Sequence, residues 1–218
     1  MVVAIAMSSE AWYAYDMPRK TDARARAIAT AERLFRIQGY AATGLTQIIE
    51  ESGSPKGSFY FHFPRGKTQL AEETIDHYVA RGAVLFRHIS AKTTGDAPNF
   101  VNQLFEAIAA EMNASDFQYG CLIQNLANES SVLDAELTKR VASGFVGLIE
   151  IIAEHLRGCG FAPACASSSA AALIAALEGA RTVARVQHSP TIFKAVAEMI
   201  CQGLCGPVRQ DEPAGQKT

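Results

Sequence analysis

The chain has 218 residues, of which 49% are hydrophobic and 19% are charged, and its formal net charge is −2 at pH 7. This length is enough for one large hydrophobic core or two modest ones, and the balanced composition excludes a strongly charged disordered chain. No apolar run reaches the ~18 residues that a membrane-spanning helix needs. Alanine is abundant while aromatic residues make up only 8% of the chain, which favours helices over a β-sandwich.

Charge is distributed unevenly along the chain. Residues 19–67 include nine basic and four acidic side chains, a local net charge of +5. Residues 68–218 include 11 basic and 16 acidic side chains, so a basic amino-terminal module precedes an acidic remainder. This asymmetry indicates contact with nucleic acid or with a membrane surface, although solvated helix faces would produce the same pattern.

The five cysteines predict neither a zinc site nor a redox motif. No C-x-x-C pair occurs, and Cys201 and Cys205 have no second ligand pair to complete a metal site. Residues 1–16 lack the basic start of a signal peptide. We therefore expect a reduced cytoplasmic protein without metal or cofactor.

The first predicted helix covers residues 21–38, with Thr21 as its N-cap and Gly39 at its end. Its apolar residues share one helical face. They are Ile28, Ala31, Leu34 and Phe35. A second, shorter helix is predicted over residues 45–52, after which Gly53 permits a sharp left-handed turn.

The third predicted helix begins at Ser54 and Pro55 and ends before Pro64. Ser54 is a good N-cap, and Pro55 suits the first helical position because its missing N–H has no partner there. Two short helices joined by a glycine turn form a helix-turn-helix, whose second helix can enter the DNA major groove. Lys56 on that helix can bind a phosphate or a guanine edge.

The remainder of the chain predicts long amphipathic helices. They cover residues 67–90, a segment that starts at 96–98, and residues 133–156, 166–187 and 190–204. No segment shows the sustained alternation of polar and apolar residues that strands require. The predicted fold class is therefore all-α, with about nine helices.

One string in the basic module resembles a known family. Gly39-Tyr40-Ala41-Ala42-Thr43, Gln47-Ile48-Ile49 and Ser52-Gly53-Ser54-Pro55-Lys56-Gly57-Ser58-Phe59-Tyr60-Phe61-His62-Phe63 follow one another. The match resembles the amino-terminal domain of TetR-type bacterial transcriptional repressors, in the subgroup with a Pro-Lys-Gly-Ser reading helix. The resemblance implies an all-helical homodimer that binds a palindromic operator in double-stranded DNA. It also implies a carboxy-terminal domain that binds a small-molecule effector.

The resemblance also implies roles for individual residues in DNA binding. These residues are Thr43, Thr46, Ser54, Lys56, Gly57, Ser58, Tyr60, His62 and Lys67. Gly44 departs from the family, which often has Ser or Thr there, so a hydroxyl that could cap the helix or bind phosphate is missing. Core packing is expected for Phe59 and Phe63, and DNA contact for Tyr60.

Four segments are expected from this reading. Residues 1–17 form a disordered extension, residues 18–66 the helix-turn-helix domain, residues 67–206 the ligand-binding and dimerisation domain, and residues 207–218 a disordered tail. Small residues in the last two predicted helices would let two copies approach closely and form a four-helix bundle. An intramolecular core is the alternative explanation for those small residues.

Candidate effector-binding residues come from the middle helices. They are Leu104, Phe105, Ile108, Met112, Phe117, Cys121, Gln124, Asn125 and Phe145. A mostly apolar cavity with a few polar groups would suit a small apolar effector, whereas plain core packing is the alternative. Residues 120–129 resemble a segment in a branch of the family with members that sense electrophiles or small acids. Cys121 is either a sensor thiol with a lowered pKa and solvent access or an inert buried cysteine.

The leading hypothesis is a ligand-responsive repressor. An enzyme is disfavoured because the chain has no G-x-S-x-G nucleophile motif, no phosphate-binding loop and no metal-ligand spacing. A helical adaptor without DNA binding is the other alternative, and the +5 charge of residues 19–67 argues against it.

Overall fold

The computed structural model describes residues 22–129, 131 and 133–204. This part of the chain folds into nine helices and contains no strand, which confirms the all-α prediction. The helices are α1 (Ala23–Gln38), α2 (Leu45–Glu51), α3 (Lys56–His62), α4 (Lys67–Lys92), α5 (Ala97–Ala114), α6 (Leu122–Asn128), α7 (Ala135–Gly158), α8 (Pro163–Gln187) and α9 (Thr191–Gly203). No described helix could span a membrane. The predicted extension, 1–17, and tail, 207–218, lie outside the described residues.

The N-cap of helix α1 lies one residue later than predicted. The Asp22 side chain accepts a hydrogen bond from Ala25 N at 2.9 Å, so Asp22 is the N-cap. Thr21, the predicted cap, lies outside the described residues. The helix ends as predicted, with Gly39 N–H bonded to Phe35 O at 3.1 Å. Its predicted apolar face is buried throughout and forms the core of the amino-terminal module.

The turn between α2 and α3 has the predicted glycine conformation but not the predicted cap. Gly53 has φ +60°, in the left-handed region that glycine tolerates. Ser54 does not cap α3, because its hydroxyl donates to Ala23 O at 3.2 Å and Pro55 occupies the N-cap position. The turn packs against the start of α1, which brings this carbonyl within reach of the hydroxyl.

The larger part of the molecule is a bundle in which α4 packs against α7, α7 against α8, and α5 against α9. Asp96 caps α5 through Asn99 N at 3.0 Å, as the sequence predicts. Asp134 caps α7 through Leu137 N at 2.8 Å, so this helix starts at Ala135 rather than at the predicted residue 133. Helix α8 starts at Pro163 instead of residue 166 because proline suits the first turn.

The sequence analysis predicts no helix at the position of α6. It has seven residues and no side-chain cap, and a helix of that length is not stable by itself. Leu122, Ile123 and Leu126 are buried, so packing of these side chains stabilises the helix. Helix α6 contacts α1 and thereby lies between the amino-terminal module and the bundle.

Candidate nucleic-acid interface and effector cavity

Helix α3 separates its side chains into an inner aromatic face and an outer polar face. Phe59 and Phe63 are buried with ring centroids 5.1 Å apart, which confirms the expected core packing. Tyr60 is 48% exposed and its ring meets Phe59 edge-on, with centroids 5.5 Å apart. An aromatic pair thus holds a seven-residue helix against α1 while its outer face stays open.

The open face of α2 and α3 includes most of the residues implied to bind DNA. Thr46, Lys56, Gly57 and Tyr60 are exposed, while Ser58 and His62 are partly exposed. Within the described part of the chain, the side-chain polar groups of Lys56, Ser58 and Tyr60 form no hydrogen bond or ion pair. These donors and acceptors are therefore available to an external partner such as phosphate or a base edge.

Two residues with an implied DNA contact are buried, and their hydroxyls donate to backbone carbonyls instead. Thr43 is 1% exposed and its hydroxyl donates to Gly39 O at 2.6 Å. Ser54 is 5% exposed and bonds to Ala23 O. Both hydroxyls are consumed by backbone carbonyls, so the prediction of direct contact is corrected to a supporting role in the helix-turn-helix.

Lys67, at the start of α4, is half-buried. Its Nζ donates to Tyr40 O at 2.6 Å and lies 4.1 Å from the centroid of the Tyr40 ring. Burial lowers the pKa of Lys67. This lysine therefore ties α4 to the segment between α1 and α2, in addition to any contact it makes with phosphate.

One exposed aromatic residue of α3 was missed from the sequence. Phe61 is 81% exposed, beside the His62 ring, with centroids 5.3 Å apart. Residues two positions apart lie about 200° apart around a helix, so burial of Phe59 places Phe61 on the opposite side. Helical geometry in the sequence was the signal that could have found it.

The basic module is not a uniform positive surface. Arg24 pairs with Glu73 at 2.6 Å, and Arg33 pairs with Glu51. Arg36 is 1% exposed and belongs to the interior. The +5 charge counted along residues 19–67 therefore overstates the charge that is available to an external partner.

A second candidate site is a cavity of about 640 Å³ lined mainly by α4, α5, α7 and α8. Its apolar wall includes Leu85, Phe86, Ile89, Ile108, Phe145, Leu148, Ile174 and Leu177. Its polar lining includes His88, Lys92, Asn99, Gln103 and Glu106, all from α4 and α5. The volume and the mainly apolar wall match sites for small organic molecules.

The sequence identified part of this cavity. Of the candidate effector-binding residues, Ile108, Cys121 and Phe145 line it. The other predicted apolar residues are buried away from the cavity as ordinary core. They are Leu104, Phe105, Met112 and Phe117. Helical periodicity shows which face is buried, but it does not show where the packing leaves a void.

The two predicted polar residues of the cavity lie elsewhere. Asn125 donates through Nδ2 to Phe35 O and Arg36 O, each at 3.0 Å. Gln124 is partly exposed on α6 and does not line the cavity. Asn125 therefore joins the bundle to the end of α1 rather than facing an effector.

The polar end of the cavity is a cluster of ions that the sequence did not predict. The Glu111 carboxylate lies 2.8 Å from Arg36 Nη2 and 3.2 Å from Arg181 Nη1. Burial alone would raise the pKa of Glu111, but Arg36 and Arg181 lower it to about 2. Glu178 lines the same region, and burial raises its pKa. The sequence does not show this cluster because its members lie far apart in the chain, from residue 36 to residue 181.

Cys121 faces this cluster but does not have the properties of a sensor thiol. It is 2% exposed. Burial, followed by the negative charge of Glu178, raises the pKa of Cys121 to about 12. A reactive cysteine needs access and a lowered pKa, so the electrophile-sensing alternative is corrected in favour of a buried, unreactive thiol.

Helices α8 and α9 have an apolar face that no other described element covers. The inner face of α8 buries Leu173, Ile174 and Leu177. Its outer face exposes a stripe at helical spacing, with Val186 83% exposed, and α9 adds Met199 at 63%. The stripe on α8 consists of Ala171, Ala175, Gly179, Val183 and Val186. Such a patch is typical of a protein–protein interface.

Comparison with family models gives two matches. Residues 27–74 match the model described as bacterial regulatory proteins of the tetR family. Residues 98–199 match the model described as the carboxy-terminal domain of LmrA/YxaF-like transcriptional regulators. The two matches cover the helix-turn-helix and most of the bundle.

Individual relatives and solved structures agree with these matches. The chain is 31% identical over 165 residues to the HTH-type transcriptional regulator LmrA of Bacillus subtilis, covering 72% of this chain and 84% of LmrA. It is 29% identical to the uncharacterised regulator YxaF of the same organism, covering 84% and 96% of the two chains. A TetR regulator from Legionella pneumophila has the same fold, with a TM-score of 0.78 at 23% identity over 86% and 100% of the two chains.

Proposed function

The chain belongs to the TetR family of transcriptional regulators, which are not enzymes, and from that premise we propose that it is a ligand-responsive repressor. In this proposal a homodimer binds a palindromic operator through α3, and a small molecule in the cavity releases the DNA. The observation that carries the proposal is the course of α4. This helix starts at the helix-turn-helix with Lys67 and lines the cavity further along with Tyr78, Arg81 and Leu85.

DNA recognition is assigned to the outer face of α2 and α3. Lys56 supplies a positive charge for a phosphate or a guanine, and the Tyr60 hydroxyl supplies a second polar contact. Phe61, with its exposed ring, fits an apolar contact such as a thymine methyl group. As a transcriptional regulator that binds DNA, the protein is proposed to act in the cytoplasm.

The effector is proposed to act by geometry. Lys67 ties α4 to Tyr40, and the Arg65 guanidinium pairs with Glu72 of α4 at 2.6 Å, so α4 and the helix-turn-helix move together. Reading helices of a dimer must match half-sites about 34 Å apart or a multiple of it. A ligand that favours a different position of α4 shifts the population away from the DNA-binding spacing.

The dimer is assigned to α8 and α9. Small residues on the exposed stripe of α8 allow close approach of a second copy, and Val186 and Met199 supply apolar area. Pairing about a two-fold axis would form a four-helix bundle that covers this stripe. The axis would also relate the two α3 helices, which a palindromic operator requires.

The test is selection of DNA fragments by the purified protein, followed by a screen of small molecules for release of the enriched fragment. We expect the enriched fragment to be palindromic and its affinity to depend steeply on salt concentration. We also expect compounds that bind in the cavity to release it. Lys139→Ala, which changes an exposed lysine on α7, is the matched control for Lys56→Ala. Failure to enrich any sequence, or equal binding by both variants, would contradict the proposal.

A further inference from the structure

Arg36 is a residue of the DNA-binding module whose charge lies in the wall of the bundle. It comes from α1, yet its side chain is 1% exposed. Its Nε donates to Gly120 O at 2.8 Å, and its Nη2 lies 2.8 Å from Glu111. Its guanidinium also lies 4.7 Å from the centroid of the Tyr119 ring. These three partners belong to α5 or to the segment that follows it, while Glu32 of α1 and the ring of Tyr78 of α4 lie 3.7 and 5.4 Å from the guanidinium.

The backbone carbonyl of Arg36 is held by the same region. It accepts hydrogen bonds from Gly120 N at 3.1 Å, Asn125 Nδ2 at 3.0 Å and Arg185 Nη2 at 2.9 Å. A Cβ at position 120 would lie 2.9 Å from Arg185 Nη2 and 3.0 Å from Asn125 Oδ1. A side chain at position 120 would therefore displace Asn125 and Arg185, the two side chains that hold the Arg36 carbonyl.

A further contact fixes the segment between α1 and α2. Glu129, which follows α6, accepts a hydrogen bond from Ala41 N at 2.6 Å. The bundle thus holds both the end of α1 and the approach to α2. We call the contacts of Arg36 with Glu111 and Gly120, together with that of Glu129 with Ala41, the α1 anchor.

The α1 anchor is continuous with the effector cavity. Glu111 lines the cavity and pairs at the same time with Arg36 and with Arg181, which also lines it. Cys121, next to Gly120, lines it as well. A molecule at the polar end of the cavity therefore meets the groups that hold Arg36. In a buried network, changing one ionic partner alters the others strongly.

We infer that Arg36 is a positioning residue through which the polar end of the cavity sets the orientation of α1, and with it that of the reading helix α3. This connection would act in addition to the movement of α4 described above. The inference rests on the proposed function. An effector whose polar head competes for Glu111 or Arg181 weakens the hold on Arg36. The DNA-binding module then loses its fixed orientation without any change in the reading face itself.

A double-mutant cycle on the full-length protein tests this connection. Glu111→Gln, Arg36→Met and the double variant are compared with wild type for affinity to the selected DNA fragment and for amide exchange at Gly120 and Ala41. We expect Glu111→Gln to weaken fragment binding about fivefold or more and to speed exchange at Gly120, with an unchanged dimer. In the Arg36→Met background the same substitution should change neither quantity by more than about twofold.

Glu154→Gln, an exposed carboxylate on α7, is the control and should match wild type. Where Arg36→Met does not fold, Arg36→Gln replaces it, since glutamine is polar but has no charge to pair with Glu111. Equal effects of Glu111→Gln in both backgrounds, or no effect in wild type, would overturn the inference. If wild type binds no DNA fragment, the proposed function fails, whereas amide exchange still decides whether Glu111 acts on the α1 anchor.

Discussion

The reading helix α3 and the polar end of the cavity both have charged and polar side chains, but those of α3 are exposed and those of the cavity are buried. On α3, Lys56 and Tyr60 are exposed and their polar groups have no partner in the described part of the chain. At the polar end of the cavity, Glu111 and Arg181 are largely buried and paired. Exposed charges add little to stability but remain available, whereas buried charges must be compensated inside the fold. The comparison separates residues that meet a partner from residues that hold the molecule together.

The largest effect is expected at the buried end of this comparison. Arg181→Met removes the second arginine from Glu111, so a charged carboxylate remains buried with fewer partners. We expect the free energy of unfolding to fall by about 3–5 kcal/mol, measured by chemical denaturation at fixed protein concentration. Arg157→Met, which breaks the exposed pair with Glu150, should change it by less than about 1 kcal/mol. Similar losses in both variants would contradict the distinction.

The next effect concerns the exposed end. Lys56→Ala should weaken binding of the selected DNA fragment by about 1–3 kcal/mol, or about fivefold to more than a hundredfold, because one contact to phosphate or base is lost. Fluorescence anisotropy over a salt series measures this, and the log–log slope should fall by about 1 if the contact is to phosphate. The unfolding midpoint should stay at the wild-type value. If Lys56→Ala is less stable than wild type, Lys56 contributes to folding and is not simply available to an external partner.

A pH series distinguishes the two buried carboxylates. The pKa of Glu111 in the folded protein is about 2, below its ordinary value of 4.5. Glu111 therefore stabilises the fold above pH 4.5, and this contribution disappears as the pH falls from 4.5 towards 2. The pKa of Glu178 is raised, so its ionisation destabilises the fold at neutral pH, and that penalty disappears as the pH falls to 4.5.

These two signs predict opposite behaviour for matched variants. Relative to Glu111→Gln, wild type should lose stability as the pH falls from 4.5 towards 2. Relative to Glu178→Gln, wild type should gain stability as the pH falls from neutral to 4.5. Denaturation curves across this range provide the measurement, and the same sign of change for both carboxylates would contradict the assignment.

The smallest effect compares two threonines that the sequence treats alike. Thr43→Val removes the buried hydroxyl that donates to Gly39 O and should lower the free energy of unfolding by about 1 kcal/mol. Thr46→Val changes an exposed side chain of α2 and should leave stability within about 0.5 kcal/mol while weakening DNA binding. Calorimetry and anisotropy on both variants separate the roles. A stability loss confined to Thr46→Val would reverse them.

Features with a local cause could be predicted from the sequence. Asp96 and Gly39 were identified as helix boundaries because a cap or a terminating glycine acts within one helical turn. Core packing was also expected for Phe59 and Phe63, and their four-residue spacing places them on one face of a helix. The roles of Thr43 and Ser54 were not predictable in this way, since each hydroxyl could cap a helix, meet DNA or bond to a carbonyl.

By itself, the sequence determined the all-α class, the helix-turn-helix and the family to which the chain belongs. These depend on periodicity, capping and a contiguous motif, all of which are short-range. Only the tertiary structure decided which residues surround the cavity, that Cys121 is buried, and that Arg36 of the basic module pairs with Glu111 of the bundle. Those properties depend on groups far apart in the chain, and a charge in the sequence does not show whether folding leaves it in water or pairs it inside.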